Sequence, residues 1–138
     1  MADLIRSAQY FKVQVADKPG EVARMLRVLS DANVYVLAFY GFPRNRRFQL
    51  DFMPENPALF KQVAKKAKWK VQGPKTFFLV EGDDRVGALV DVTTKLGEAK
   101  INITAIDAVA AGHGRYGAIF WVKPRDVKKA LMTLGIAG

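Results

Sequence analysis

A repeat governs this chain. With a constant offset of 67 and no gap, residues 17–36, DKPGEVARMLRVLSDANVYV, lie over residues 84–103, DRVGALVDVTTKLGEAKINI. Asp17 falls on Asp84, Gly20 on Gly87, Leu29 on Leu96 and Ala32 on Ala99. Similar residues fill the spaces: Val22 over Leu89, Met25 over Val92, Val34 over Ile101 and Val36 over Ile103. Outside that window, residues 10–13, YFKV, fall on residues 77–80, FFLV, and Pro57 falls on Pro124. Such repetition means that one supersecondary unit is built twice, which restricts the architecture more than composition does.

Both copies read alike. Residues 9–15 and 76–81 are rich in aromatic and β-branched side chains, as strands are. A breaker follows, in which Asp17 is a candidate cap and Pro19 a candidate first-turn proline. Val22, Met25, Leu26 and Leu29 then follow helical spacing, as do Leu89, Val92, Thr93 and Leu96. Residues 34–42 with 48–53, and 101–111 with 116–122, read as strand pairs joined by turns. A proline-opened helix closes each copy, through Leu59, Phe60, Val63 and Ala67 in the first and Val127, Ala130, Leu131 and Leu134 in the second. The predicted class is α+β: two tandem ferredoxin-like βαββαβ domains, 1–74 and 75–138, each an antiparallel sheet with helices on one face. Residues 69–72, WKVQ, supply a closing strand for the first copy. The second copy ends in LGIAG and has almost nothing for one, so its sheet edge is predicted to be open or covered by a partner chain, which favours a homodimer.

The 138 residues are half hydrophobic, enough for real cores. No apolar run reaches the ~20 residues of a membrane helix, and the start MADLIRSAQYF lacks signal-peptide features, so a cytoplasmic location is expected. With no cysteine and one histidine, His113, neither a metal site nor a cofactor is expected. The segment AAGHGRYG, residues 110–117, spells G-x-G-x-x-G. Strand-like AIFWV follows it where a dinucleotide site needs a helix, so the glycines read as a hairpin. An enzyme would need a positioned constellation, and Asp107 with His113 offers no nucleophile. A non-enzymatic role is therefore expected.

The strand–turn–helix–strand pattern around Asp17-Lys18-Pro19-Gly20, and Asp84-Arg85-Val86-Gly87 followed by Ile101-Asn102-Ile103, resembles the ACT domain family. The similarity covers nearly the whole chain as two domains in tandem. It implies a regulatory protein that binds an amino acid or small carboxylate at a domain or subunit interface, with a metabolic enzyme as a possible separate partner. Carried onto this chain, it implies ligand contacts from Asp17, Lys18 and Gly20 in the first copy, and from Asp84, Arg85, Gly87, Asn102 and Thr104 in the second. The physics of the place agrees. A helix start offers unpaired N–H groups and partial positive charge to a carboxylate, although Asp and Gly are also ordinary cap residues there. The copies differ in that Tyr35 stands opposite Asn102 and Pro19 opposite Val86, so one competent site, or one per interface, is expected.

Charge opens an alternative. The net charge is +9, and residues 1–75 hold 14 Lys and Arg against 6 Asp and Glu, whereas residues 76–138 hold 8 against 7. Arg44, Arg46 and Arg47 sit on a hairpin tip, and Lys61, Lys65 and Lys68 form a stripe near Trp69. Together these could hold a phosphate backbone and stack bases. A solvated helix face is the preferred reading, since charge runs usually solubilise.

Overall fold

The computed structural model describes residues 3–136. Ten principal elements follow one another: β1 (Leu4–Ala16), α1 (Glu21–Asp31), β2 (Val36–Arg44), β3 (Arg47–Pro54), α2 (Pro57–Lys66), β4 (Val71–Asp83), α3 (Val90–Glu98), β5 (Ile103–Gly112), β6 (Arg115–Val122) and α4 (Val127–Leu134). A short 3₁₀ turn, Pro124–Asp126, leads into α4. The class is the predicted α+β, built from two ferredoxin-like units.

Contacts divide the chain into a continuous unit, Gln9–Lys75, and a split unit formed by Met1–Ala8 with Thr76–Gly138. In the continuous unit the strand order is β2-β3-β1-β4, and in the split unit it is β1-β4-β6-β5. Each is the order of a ferredoxin-like sheet. The closing place in the continuous unit is taken by the first residues of β4. The corresponding place in the split unit is taken by Leu4–Ala8, the first residues of β1, and Ile5 packs against that unit's core. The edge predicted to be open is therefore occupied by this chain's own beginning, which removes that argument for a partner strand. The two shared strands are equally long, and they start 67 residues apart.

Alternation along the strands selects the cores. Phe11, Val13 and Val15 of β1 join Leu50 and Phe52 of β3 beneath Met25 and Leu29 of α1 and Phe60 and Ala64 of α2. The counterparts in the split unit are Phe78, Val80, Ala118 and Phe120 beneath Val92, Leu96 and Ala130. Helices thus cover one face of each sheet, where a strand's period of two and a helix's stripe can bury apolar groups together. Rings reinforce the packing: Phe11 stacks on Phe60 at 5.0 Å in one unit and Phe78 on Phe120 at 4.9 Å in the other.

All four helices stop in the same way. Val34, Trp69, Ile101 and Ile136 each donate their N–H to the carbonyl five residues back, at 2.9 Å. The residue before each is left-handed: Asn33, Lys68, Lys100 and Gly135. This double turn satisfies carbonyls that a helix end leaves open. The hairpins also repeat, with a two-residue turn of positive φ at Asn45-Arg46 and again at His113-Gly114. A register shift between Ala110 and Gly112 marks one extra residue in the second hairpin. The G-x-G-x-x-G segment is thus a bulged hairpin, and Ala88's turn, not the glycines, precedes a helix.

Candidate functional site

The same hollow forms in both units where the first strand turns into the first helix. In the continuous unit it measures about 240 Å³ and is lined by residues 16–23 and Phe48. Helix α1 does not start from the expected aspartate cap: Gly20 caps it at φ 90 with no side-chain hydrogen bond. Glycine adopts the left-handed conformation without steric cost, and it carries the cap past Asp17. Lys18 donates its N–H to Ala16 O at 3.0 Å, which tightens the turn. Asp17, Lys18 and Gly20 are all exposed, and no side chain claims the first N–H groups of α1. Glu21 is drawn instead to Arg24, at 2.8 Å, and that hydrogen bond lowers the carboxyl's pKa below its ordinary value.

The split unit's hollow measures about 210 Å³ and is lined by Asp84, Ala88, Leu89, Ala108, Val109, Ala110 and Tyr116. Its turn is more tied down. The Asp84 N–H donates to Gly114 O at 2.8 Å. Arg85 donates to both carboxylate oxygens of Asp3, at 3.1 and 3.3 Å, and to the carbonyls of Asp83 and Ala88. The Arg85 hydrogen bond holds the Asp3 carboxyl below its usual pKa. Arg85 thus fastens residue 3, just before the closing strand, to the turn before α3. Tyr116 is buried, and its hydroxyl approaches the Asp3 carboxylate without forming a well-aligned hydrogen bond. Burial first and Asp3 second raise the phenol's pKa.

The candidate residues in the second copy do not meet. Asp84, Arg85 and Gly87 precede α3, whereas Asn102 and Thr104 follow it. Nine helical residues, about 13 Å of rise, intervene. Asn102 is exposed, and the Thr104 hydroxyl donates to Trp121 O at 3.1 Å across the strand pair. Sequence reasoning missed Phe48 and Tyr116, which floor the two hollows from equivalent hairpin positions. The one-residue bulge breaks the constant offset and hides that equivalence.

Near the alternative basic surface, Trp69 is partly buried against the core, stacked on Phe52 at 6.1 Å and tilted against Phe60. Arg44, Arg46, Arg47, Lys61, Lys65 and Lys68 are exposed. The Asp107 and His113 pair is also not assembled: Asp107 lies within β5 and His113 at the hairpin tip, about 17 Å along the strand. Among the described residues no group of three or more His, Cys, Asp or Glu is placed to hold a metal, and no helix is long and apolar enough to cross a membrane.

No protein-family model matches the sequence, and no curated protein sequence matches it. Solved structures do. The protein BT0572 from Bacteroides thetaiotaomicron is similar at a TM-score of 0.80 and 16% identity, over 95% of this chain and 88% of that one. The regulatory subunit of aspartate kinase from Thermus thermophilus, ligand-free, is similar at 0.64 and 14%, over 98% and 96%. The same subunit from Thermus flavus gives 0.58 and 16%, over 97% and 94%. The fold is that of the tandem ACT-domain regulatory subunits.

Proposed function

We propose that this protein is a non-enzymatic, cytoplasmic regulatory module that binds an amino acid or similar small carboxylate at its strand–turn–helix junctions. The observation that carries the reading is the recurrence of one hollow, beneath a helix start without a side-chain cap, in both units. A carboxylate there would accept from first-turn N–H groups that no side chain caps and sit at the positive end of the helix dipole. Asp17, Lys18 and Gly20 frame one seat. Asp84 and Gly87 frame the other, with Tyr116 offering a buried hydroxyl. Arg85 serves that seat by holding its turn, and Asn102 and Thr104 serve it only from a second copy of the chain. The exposed Ile106 and Val109 on edge strand β5 fit a homodimer of that kind. The regulated partner would be a separate metabolic enzyme.

A thermal-shift screen against the standard amino acids tests this. A ligand bound to the folded state alone stabilises it by about 2.7 kcal/mol at a hundredfold excess over its dissociation constant. One or two amino acids are expected to raise the melting temperature, and Asp84→Ala or Lys18→Ala is expected to diminish the shift at its own seat. Asn102→Ala discriminates further. Loss of the shift, together with a dimeric mass, places the ligand between two chains, whereas a retained shift keeps it within one unit. No shift with any amino acid removes the reading.

A further inference from the structure

The two hollows differ in the wall beyond the turn, although one side-chain position floors both. Phe48 pairs with Val15 of β1, and Tyr116 pairs with Gly82 of β4, which the offset of 67 makes the equivalent of Val15. Gly41 and Ala108 correspond in the same way, opposite Leu50 and Ala118. A methyl group placed on Gly41 would lie 2.7 Å from Phe48 Cε2, so the Phe48 ring lies over β2. A methyl group on Gly82 would lie 3.1 Å from Tyr116 Cε1 and would collide with the Asp3 carboxylate. The Tyr116 ring thus lies against β4, and β5 is the neighbour on its other side.

The direction of each ring decides what is left uncovered. In the continuous unit the hollow keeps to the turn, the start of α1 and Phe48, and Asp17, Lys18 and Glu21 are among its lining. In the split unit it extends onto β5, over Ala108, Val109 and Ala110, and meets Ala88 and Leu89 ahead of α3. Ala108 and Ala110 stand opposite buried Ala118 and Tyr116, so both face the helix side of the sheet. Their methyl groups are too short to fill that side, and both residues are exposed. Asp84 supplies the charge in this lining. Tyr116, 6% exposed, adds a hydroxyl with no hydrogen-bond partner among the described residues.

We infer that the split unit's seat selects an amino acid with an aliphatic side chain, of the shape of valine or leucine, laid over Ala108, Val109 and Ala110. This rests on the seat proposed above, in which the carboxylate meets the start of α3. Asp84 then faces the ammonium group, and the β5 wall receives the side chain. A charged side chain would lose its water against that wall without gaining a partner. An aliphatic one gains roughly fourfold in affinity for each buried CH₂. The continuous unit's seat, covered by Phe48 on the β2 side and edged by Lys18 and Glu21, lacks this wall, so the two seats are not interchangeable.

Thermal-shift titrations of the full chain with alanine, valine, leucine, lysine and glutamate test the selection. Valine or leucine is expected to act at a concentration roughly tenfold or more below that of alanine, and lysine and glutamate are expected to act only above it. Ala108→Leu fills the space over β5 and should remove the same leucine shift that Asp84→Ala removes, while leaving alanine's in place. Should Ala108→Leu lower the melting temperature of the free chain, Ala110→Val gives the answer with a smaller addition. Lysine, glutamate or another polar amino acid acting as strongly as leucine overturns the selection and leaves the seat standing. A leucine shift that survives both wall variants, or that Asp84→Ala leaves intact, also overturns it. No shift with any standard amino acid removes the seat itself, and the selection with it.

Discussion

The two units build the same sheet and helices but treat the first turn differently. In the continuous unit, Pro19 and left-handed Gly20 leave the turn held by its own backbone, and Lys18 acts on Glu21 through charge alone. In the split unit, the equivalent Arg85 grips Asp3, Asp83 O and Ala88 O. The split unit's closing strand begins next to Asp3, which Arg85 fastens by charge-assisted hydrogen bonds. One fold can thus hold the same hollow by backbone conformation in one half and by an ion pair in the other.

The largest expected effects probe the shared cores. Phe52→Ala and its counterpart Phe120→Ala should each cost about 3–5 kcal/mol in urea denaturation. Phe52 should cost more, because its ring packs with Phe39, Phe60 and Trp69 while Phe120 stacks on Phe78. A greater loss at Phe120 would break the equivalence of the two cores.

The hairpin tips should give smaller, opposite changes. Arg46 and Gly114 hold the second turn position at φ 65 and φ 70, and only glycine adopts that conformation without steric cost. Gly114→Arg should destabilise by about 1–2 kcal/mol. Arg46→Gly should stabilise by about 0.5–1 kcal/mol, read from melting temperatures. Changes of equal sign would show that side-chain contacts, not backbone conformation, set these turns.

The smallest effect separates the two turns by pH. The Asp3 carboxyl is held below its ordinary pKa of 3.8. Its contribution is therefore present above that value and is lost as pH falls through the folded value. Arg85→Ala should flatten this part of the acid denaturation profile, whereas Lys18→Ala, which removes only the smallest of the influences that lower the Glu21 pKa, should flatten it less. Equal flattening by both would mean that the two turns depend on charge alike.

Most of the architecture was legible in local pattern. Phe11, Val13, Met25 and Leu29 carry periods of two and 3.6, and the offset of 67 transfers them to Phe78, Val80, Val92 and Leu96. The hairpin at residues 110–117 was legible because AIFWV cannot supply a helix start. Helix ends were harder to place, since Lys68 and Lys100 take left-handed positions where glycine is the usual signal. The hollow's floor escaped because a single bulge residue shifts Tyr116 out of register with Phe48. Asp84 and Asn102 belong to one motif in the sequence, yet within the unit α3 lies between them.

By itself, the sequence determined that one βαββα pattern occurs twice and which side chains enter each core, because burial depends on side-chain identity and spacing. Only the tertiary structure decided what closes the second sheet. Edge pairing is made by backbone N–H and C=O groups that every residue carries, so no side-chain pattern announced that Leu4–Ala8 would complete a unit whose other strands begin some seventy residues later.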